Sequence, residues 1–213
     1  MPLSKYRYIV VEGPIGVGKT SLVTLLASEL DGTPVLEETE DNPFLIRFYR
    51  DRRRWAFQTQ LFFLLSRYRQ QEELAQQDLF SRVTITDAFL PKDRIFASLN
   101  LSPDEMVLYD QVYGLLRPRL PQPDLVIYLH AETEILMQRV KQRGREYEKE
   151  LSWEYLNELN RAYNDFFFGY TETPLLVIQT TEIDFVKHRD HLADLVRQIR
   201  HMKGGVQYYV PKG

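Results

Sequence analysis

Hydrophobic positions along the chain fall into two recurring patterns: short unbroken apolar runs, and longer stretches with apolar residues three or four apart. The runs at 8–11, 33–36, 83–86, 125–129 and 175–178 are short, apolar or β-branched, and read as strands. Between them, Ser21 to Leu30 places Leu22, Leu25, Leu26 and Leu30 at helical spacing. Phe44 to Gln71 reads as one or two long helices, and another helix starts near Thr133. Strands alternating with helices predict an α/β fold, here a five-stranded parallel sheet with helices on both faces. No repeat, low-complexity tract or linker interrupts the pattern, so residues 1–213 are expected to form one domain. The tail from Lys203-Gly204-Gly205 to Gly213 is expected to be loosely held.

Composition narrows the class. At 213 residues, with 44% hydrophobic and 13% aromatic side chains, the chain can bury a sizeable core. The net charge of −3, from 27 basic and 30 acidic side chains, gives no global basic field for a nucleic-acid polymer. The chain has no cysteine, which excludes disulfides and thiolate metal sites. The apolar runs are far shorter than a membrane span, and the first strand begins too soon for a signal peptide to precede it. A cytoplasmic protein without a membrane partner is expected.

One stretch carries specific chemistry. Gly13-Pro14-Ile15-Gly16-Val17-Gly18-Lys19-Thr20 fits G-x-x-x-x-G-K-[ST], with a strand before it and a helix after it. Glycines let backbone N–H groups converge on phosphate oxygens, and the helix N-terminus adds partial positive charge. Lys19 can then reach the β- and γ-phosphates of a nucleoside triphosphate, and the Thr20 hydroxyl can ligate Mg²⁺.

In sheets of this kind ligands gather at the carboxyl ends of the strands. That rule selects Glu37/Glu38, Asp87, the segment after Leu129 and the loop after Ile178. Asp87 ends an apolar strand, where it can orient Mg²⁺, or else cap a turn. In the helical stretch 44–71, Gln60 and Arg67 are seven apart and share a face with Phe63 or Leu64 between them. Such a face suits the hydrogen-bonding edge of a flat heterocycle, and it equally suits an amphipathic helix with core aromatics. Arg139 and Arg143 share a face, and Arg145 lies past Gly144 in a polar segment. Arginines there can clamp a moving phosphoryl group, or form a solvated helix end.

Taken together, these stretches resemble the deoxyribonucleoside kinases of bacterial type, in particular the deoxycytidine, deoxyguanosine and deoxyadenosine kinase branch. The resemblance covers nearly the whole chain and implies a P-loop kinase fold with an arginine-rich lid. It rests on GPIGVGKT, LEETEDNPF, FYRDRRRWAFQTQLFFLLSR, PDLVIYL, QRVKQRGREYE and TTEIDF, in that order. It implies Gly13, Gly16, Gly18, Lys19, Thr20 and Ser21 at the ATP phosphates, and Glu38 as the acid that meets the 5′-hydroxyl. It implies Tyr49 and Glu148 at the sugar 3′-hydroxyl, and Gln60, Arg67, Asp93 and Phe96 around the base. Arg139, Arg143 and Arg145 would form the lid, and Asp184 and Phe185 the loop over the adenine of ATP. One departure stands out: the family's acid-Arg-Ser triplet reads Asp87-Ala88-Phe89 here, and Lys92 is the residue that can replace the lost charge.

The expected reaction is transfer of the γ-phosphoryl of ATP to the 5′-hydroxyl of a deoxyribonucleoside in nucleotide salvage, with Mg²⁺ at Thr20 and Asp87. A purine base is expected first and deoxycytidine second. The resemblance also implies a homodimer. The alternatives are a nucleoside monophosphate kinase of the thymidylate kinase type, and a kinase-like subunit that binds nucleotide without catalysis.

Overall fold

The computed structural model describes residues 6–39, 41–76, 83–117, 120–182, 185 and 189–210. Its strands are β1 (Tyr8–Glu12), β2 (Thr33–Val35), β3 (Thr84–Thr86), β4 (Leu125–His130), β5 (Leu175–Gln179) and β6 (Val206–Tyr209). The helices are α1 (Lys19–Glu29), α2 (Leu45–Arg50), α3 (Arg52–Gln76), α4 (Asp93–Asn100), α5 (Pro103–Leu116), α6 (Thr133–Arg143), α7 (Trp153–Phe168) and α8 (Arg189–His201). The sheet runs β2-β3-β1-β4-β5-β6 with every pairing parallel. Among the described residues, no helix is long and apolar enough to cross a membrane.

The α/β expectation holds, with six strands rather than five. The additional strand, β6, lies in the segment expected to be a loose tail. Two glycines precede it and its outer residues are exposed, so its sequence carries little strand signal. It is held nonetheless, by pairing to β5 and by the Gly205 carbonyl, which accepts from Leu175 N at 2.9 Å. The buried Tyr209 ring adds a hydroxyl donated to Asp194 of α8.

Side chains on the central strands alternate between two buried layers. Ile9, Val11, Ile127, Leu129, Leu176 and Ile178 pack with Leu22, Val23 and Leu26 of α1 and Leu195, Val196 and Ile199 of α8. Tyr8, Val10, Val126, Tyr128, Leu175 and Val177 face the other way, onto Ile95 of α4 and Leu159, Tyr163 and Phe167 of α7. A third cluster joins α3 to α5 through Leu64, Tyr109 and Tyr113. Burial on both faces explains why these strands read as continuous apolar runs. The carboxyl ends of β1, β2 and β3 meet beside the N-terminus of α1, and the site is built there.

Candidate active site

β1 ends at Glu12 and the chain turns through the glycine loop into α1. Gly16 has φ +87°, and a Cβ there would meet the Leu136 carbonyl oxygen at 2.6 Å. At Gly13 a Cβ would lie 2.3 Å from the Leu129 carbonyl oxygen. The loop is therefore packed too closely on β4 and α6 for any larger residue, which fixes its backbone for phosphate contact. Lys19 Nζ donates to the Gly13 and Pro14 carbonyls at 2.7 and 3.1 Å. Burial, reinforced by the neighbouring Lys92 charge, brings the Lys19 ammonium down to about 8.

Asp87, at the end of β3, ties two segments to this loop. Its Oδ2 accepts from Thr20 Oγ1 at 2.9 Å, and its Oδ1 accepts from the Glu37 backbone N–H at 2.7 Å. Anchored this way, Glu37 points its carboxylate at Lys92 and Arg67. Glu38 is exposed and is not among the pocket-lining residues; the chain turns tightly at it, with Thr39 N–H donating to the Glu37 carbonyl at 3.1 Å. Of the two adjacent glutamates, Glu37 lines the pocket, and Glu38, the one implied for the 5′-hydroxyl, does not.

Lys92 lies in a 3-10 turn (Leu90–Lys92) just before α4 and is buried. Its ammonium donates to the Asp87 carbonyl at 2.6 Å and to Glu37 Oε2 at 3.0 Å, and ion-pairs with Glu12 Oε1 at 3.0 Å. An ammonium has three donors, so all of its directions are engaged by the protein. Ala88 beside it is fully buried, and its carbonyl accepts from Gln71 of α3 at 2.7 Å. The charge missing at position 88 is therefore present at the same corner, brought in from four residues later.

α3 presents Gln60, Phe63, Arg67 and Gln71 along one face, three or four residues apart. Arg67 pairs with both Glu37 and Asp93 and lies 4.9 Å from the Phe63 ring centroid. Asp93 is fully buried below the pocket rather than lining it, and accepts from Tyr109 OH at 2.6 Å. Two buried side-chain atoms on this wall lack any hydrogen-bond partner, Gln60 Oε1 and Thr59 Oγ1. Burial pushes the Glu37 carboxyl up, but Arg67 and Lys92 outweigh it and hold it at about 2.

The lid side is formed by a turn after α6. Gly144 adopts φ +67° and ends the helix, and Glu146–Glu148 form a 3-10 turn. Glu148 is buried and paired with Arg143. Arg145 donates to Tyr147 OH at 2.6 Å, and the Tyr147 ring stacks on Tyr49 with centroids 6.4 Å apart. Burial raises the Tyr49 phenol well above its ordinary value, so it stands as a hydrogen-bond donor.

These parts enclose one pocket of about 400 Å³, within the range of small-molecule sites. Gly16, Gly18, Lys19, Thr20 and Ser21 line its phosphate end. Tyr49, Gln60, Arg67, Asp87, Lys92 and Phe96 line the rest, and Arg143, Arg145 and Glu148 its lid. Several residues expected at the site stand elsewhere. The Arg139 guanidinium donates to the Thr180 carbonyl at 2.7 Å and the Val17 carbonyl at 3.4 Å, outside the lining, so it braces the loop after β5 instead of facing the pocket. Phe185 is buried in the core and does not line this pocket, and Asp184 lies outside the described residues. Sequence reasoning missed Glu12, Thr59, Tyr147, Tyr155 and Tyr163. Only Glu12 had a signal, an acid closing an otherwise apolar strand directly before the glycine loop.

Comparison with known proteins identifies the family. The profile of the deoxynucleoside kinase family matches residues 9–203. The chain is 36% identical over 199 residues to a deoxyguanosine kinase of Bacillus subtilis, covering 92% of this chain and 96% of the relative. It is 30% identical over 205 residues to a deoxyadenosine/deoxycytidine kinase of the same organism, covering 92% and 93%. Among solved structures, a deoxyadenosine kinase from M. mycoides with bound dATP superposes with a TM-score of 0.77 at 25% identity, covering 89% of this chain and 98% of the other. A P-loop facing a carboxylate and a base-sized polar wall across one pocket, together with these matches, makes the chain a phosphotransferase and a member of the deoxynucleoside kinase family.

Proposed function

We propose that the chain transfers the γ-phosphoryl of ATP to the 5′-hydroxyl of a purine deoxyribonucleoside, with deoxycytidine as a second acceptor, in nucleotide salvage. The observation that carries the choice of acceptor is the neutralisation of cations at the nucleoside end. Lys92 faces Glu12 and Glu37, Arg67 faces Glu37 and Asp93, and Arg143 faces Glu148. A monophosphate acceptor would bring its own negative charge against these carboxylates, and a neutral nucleoside does not.

In this reading Glu37 accepts the hydrogen bond of the 5′-hydroxyl and receives its proton as the bond to phosphorus forms. A carboxylate held at about 2 is a weak base, which suits a loose transition state in which positioning and electrostatics do most of the work. Lys19, Arg143 and Arg145 face the transferring group. Thr20 and Asp87, oxygen donors that meet at 2.9 Å beside the phosphate end, fit Mg²⁺ and are the residues that would hold it. A Mg²⁺ held by these two residues would supply positive charge against the phosphates. Tyr49 and Glu148 hold the sugar 3′-hydroxyl. The buried, unpartnered Gln60 Oε1 awaits a donor from the base edge, with Arg67 and Asp93 behind it. The relatives named for deoxyguanosine and deoxyadenosine support the purine preference. We also infer a homodimer from the family.

The test is an ATP-dependent phosphorylation assay over the four deoxyribonucleosides, adenosine and deoxythymidine monophosphate. Turnover on deoxyguanosine or deoxyadenosine, with little on adenosine and none on the monophosphate, is expected. Turnover confined to the monophosphate refutes the choice of acceptor, and ATP binding with no turnover on anything refutes catalysis.

A further inference from the structure

Glu12 is a fully buried carboxylate that the reaction above does not use. It closes β1, whose other residues are apolar or aromatic, and it is absent from the pocket lining. A carboxylate so placed requires a cation and a donor beside it. The structure supplies both: Gly13 N–H donates to Oε2 at 3.1 Å, and Lys92 Nζ stands 3.0 Å from Oε1. Lys92 then reaches Glu37 Oε2 at 3.0 Å on its far side. Glu12, Lys92 and Glu37 thus form a row, with the cation between two carboxylates; Lys92 and Glu37 line the pocket and Glu12 does not.

The third contact of Lys92, to the Asp87 carbonyl at 2.6 Å, ties it to the residue that follows β3. Without Glu12 the ammonium keeps the carbonyl and Glu37 and loses its contact opposite the pocket-lining carboxylate. Its long stem then has freedom to follow a phosphate instead. The other charges facing this row are Lys19 from α1, Asp87 from β3 and Arg67 from α3, while the Tyr8, Tyr128 and Tyr163 phenols face Glu12 from the apolar side. None of these besides Lys92 contacts both carboxylates.

We propose that Glu12 is a positioning residue for phosphoryl transfer, fixing Lys92 so that the Glu37 carboxylate is held at the mouth of the P-loop. The inference rests on the reading of Glu37 as the group that meets the 5′-hydroxyl. It explains how a lysine from the next turn serves at a corner where the family's arginine is missing. A lysine is a flexible point charge and needs an external anchor, which a planar, forked guanidinium does not.

The experiment is a double-mutant cycle on the full chain, with Glu12→Gln, Lys92→Met and the pair, assayed on deoxyguanosine and ATP. Glu12→Gln is expected to lower kcat by about tenfold or more, the scale of one hydrogen bond to a charged group, with KM for the deoxynucleoside little changed. In the Lys92→Met background the same change is expected to cost nothing further, because the route from Glu12 to Glu37 is already gone. Equal losses in both backgrounds, or a Glu12→Gln enzyme with full kcat, overturn the inference. If circular dichroism shows Glu12→Gln unfolded, the cycle is run with Glu12→Asp, which keeps the charge and shortens its reach, and the same non-additivity is required. A wild-type chain that phosphorylates no deoxynucleoside refutes the reading of Glu37 itself, a result distinct from additive mutants of an active enzyme.

Discussion

Replacing Glu37 by Gln tests the centre of the site, because two independent quantities follow from its surroundings. The first is stability. The carboxyl lies at about 2 in the folded chain against an ordinary value of 4.5, which corresponds to about 3 kcal/mol. The side chain is 12% exposed, so little of this is lost to solvent screening. Because the folded value is depressed, this stability is present above pH 4.5 and is lost as the pH falls through 2. Glu37→Gln should therefore lower Tm at pH 7 by roughly 6–12 °C. The gap to wild type should shrink as the buffer is taken from pH 5 towards pH 3. Arg67 keeps Asp93, and Lys92 keeps Glu12 and the Asp87 carbonyl, so the chain should still fold.

The second quantity is rate. An acid–base group of this kind contributes about 10²–10⁴ in kcat, and a carboxylate held this low belongs at the bottom of that range. We expect Glu37→Gln to lose about a hundredfold in kcat, and Glu38→Gln, a change at an exposed side chain, to stay within about 0.5 kcal/mol of wild type in stability and to keep its kcat. Scanning calorimetry across pH and steady-state kinetics on deoxyguanosine read both. The reverse pattern, with Glu38→Gln inactive and Glu37→Gln active, would sink the assignment together with the geometry that produced it.

Three further outcomes follow. Because burial lowers Lys19 to about 8 before phosphate arrives, kcat/KM for ATP should decline as pH rises through 8, while kcat at saturating ATP holds; a flat profile to pH 10 refutes this. Asp87→Asn weakens the acceptor for Thr20 and for the Glu37 backbone, so the Mg²⁺ concentration at half-maximal rate should rise along with a drop in kcat, and a Mg²⁺ titration that superposes on wild type counts against the role. Gln60→Leu removes the amide with its unpartnered oxygen from the wall without touching the P-loop, so KM for the deoxynucleoside should rise by about ten- to a hundredfold with KM for ATP unchanged.

The parts legible in the sequence are those with a strict local grammar. The glycine loop specifies its own backbone and the helix that follows. Strands buried on both faces announce themselves as unbroken runs, and the i, i+3 and i+7 spacing puts Gln60, Phe63 and Arg67 on one face of α3. The aromatics of the long helix divide between the two roles the sequence left open: Phe63 lines the pocket, while Phe57 and Tyr68 pack against the α3–α5 cluster. β6 was illegible because an edge strand with Val206 and Tyr208 exposed lacks the alternation of a half-buried one. Arg139 was misread because spacing along α6 says which face it shares with Arg143, and it is the position of the loop after β5 that captures its guanidinium.

The choice between the two acids has a different cause, and it explains why Lys92 is central. Two adjacent glutamates at the end of β2 are equivalent by composition, and only the strand's register against β3 separates them. Thr33 pairs with Thr84 and Val35 with Thr86, so the chain leaves the sheet beside Asp87, whose Oδ1 captures the backbone N–H of Glu37. That single hydrogen bond decides which carboxylate turns inward, and the inward one then finds two cations at contact distance. Asp87 therefore sets the acid as well as the Thr20 hydroxyl, and its carbonyl sets Lys92. The corner is specified by contacts between three strand ends and a turn four residues beyond the last of them, a relation that no window of sequence contains.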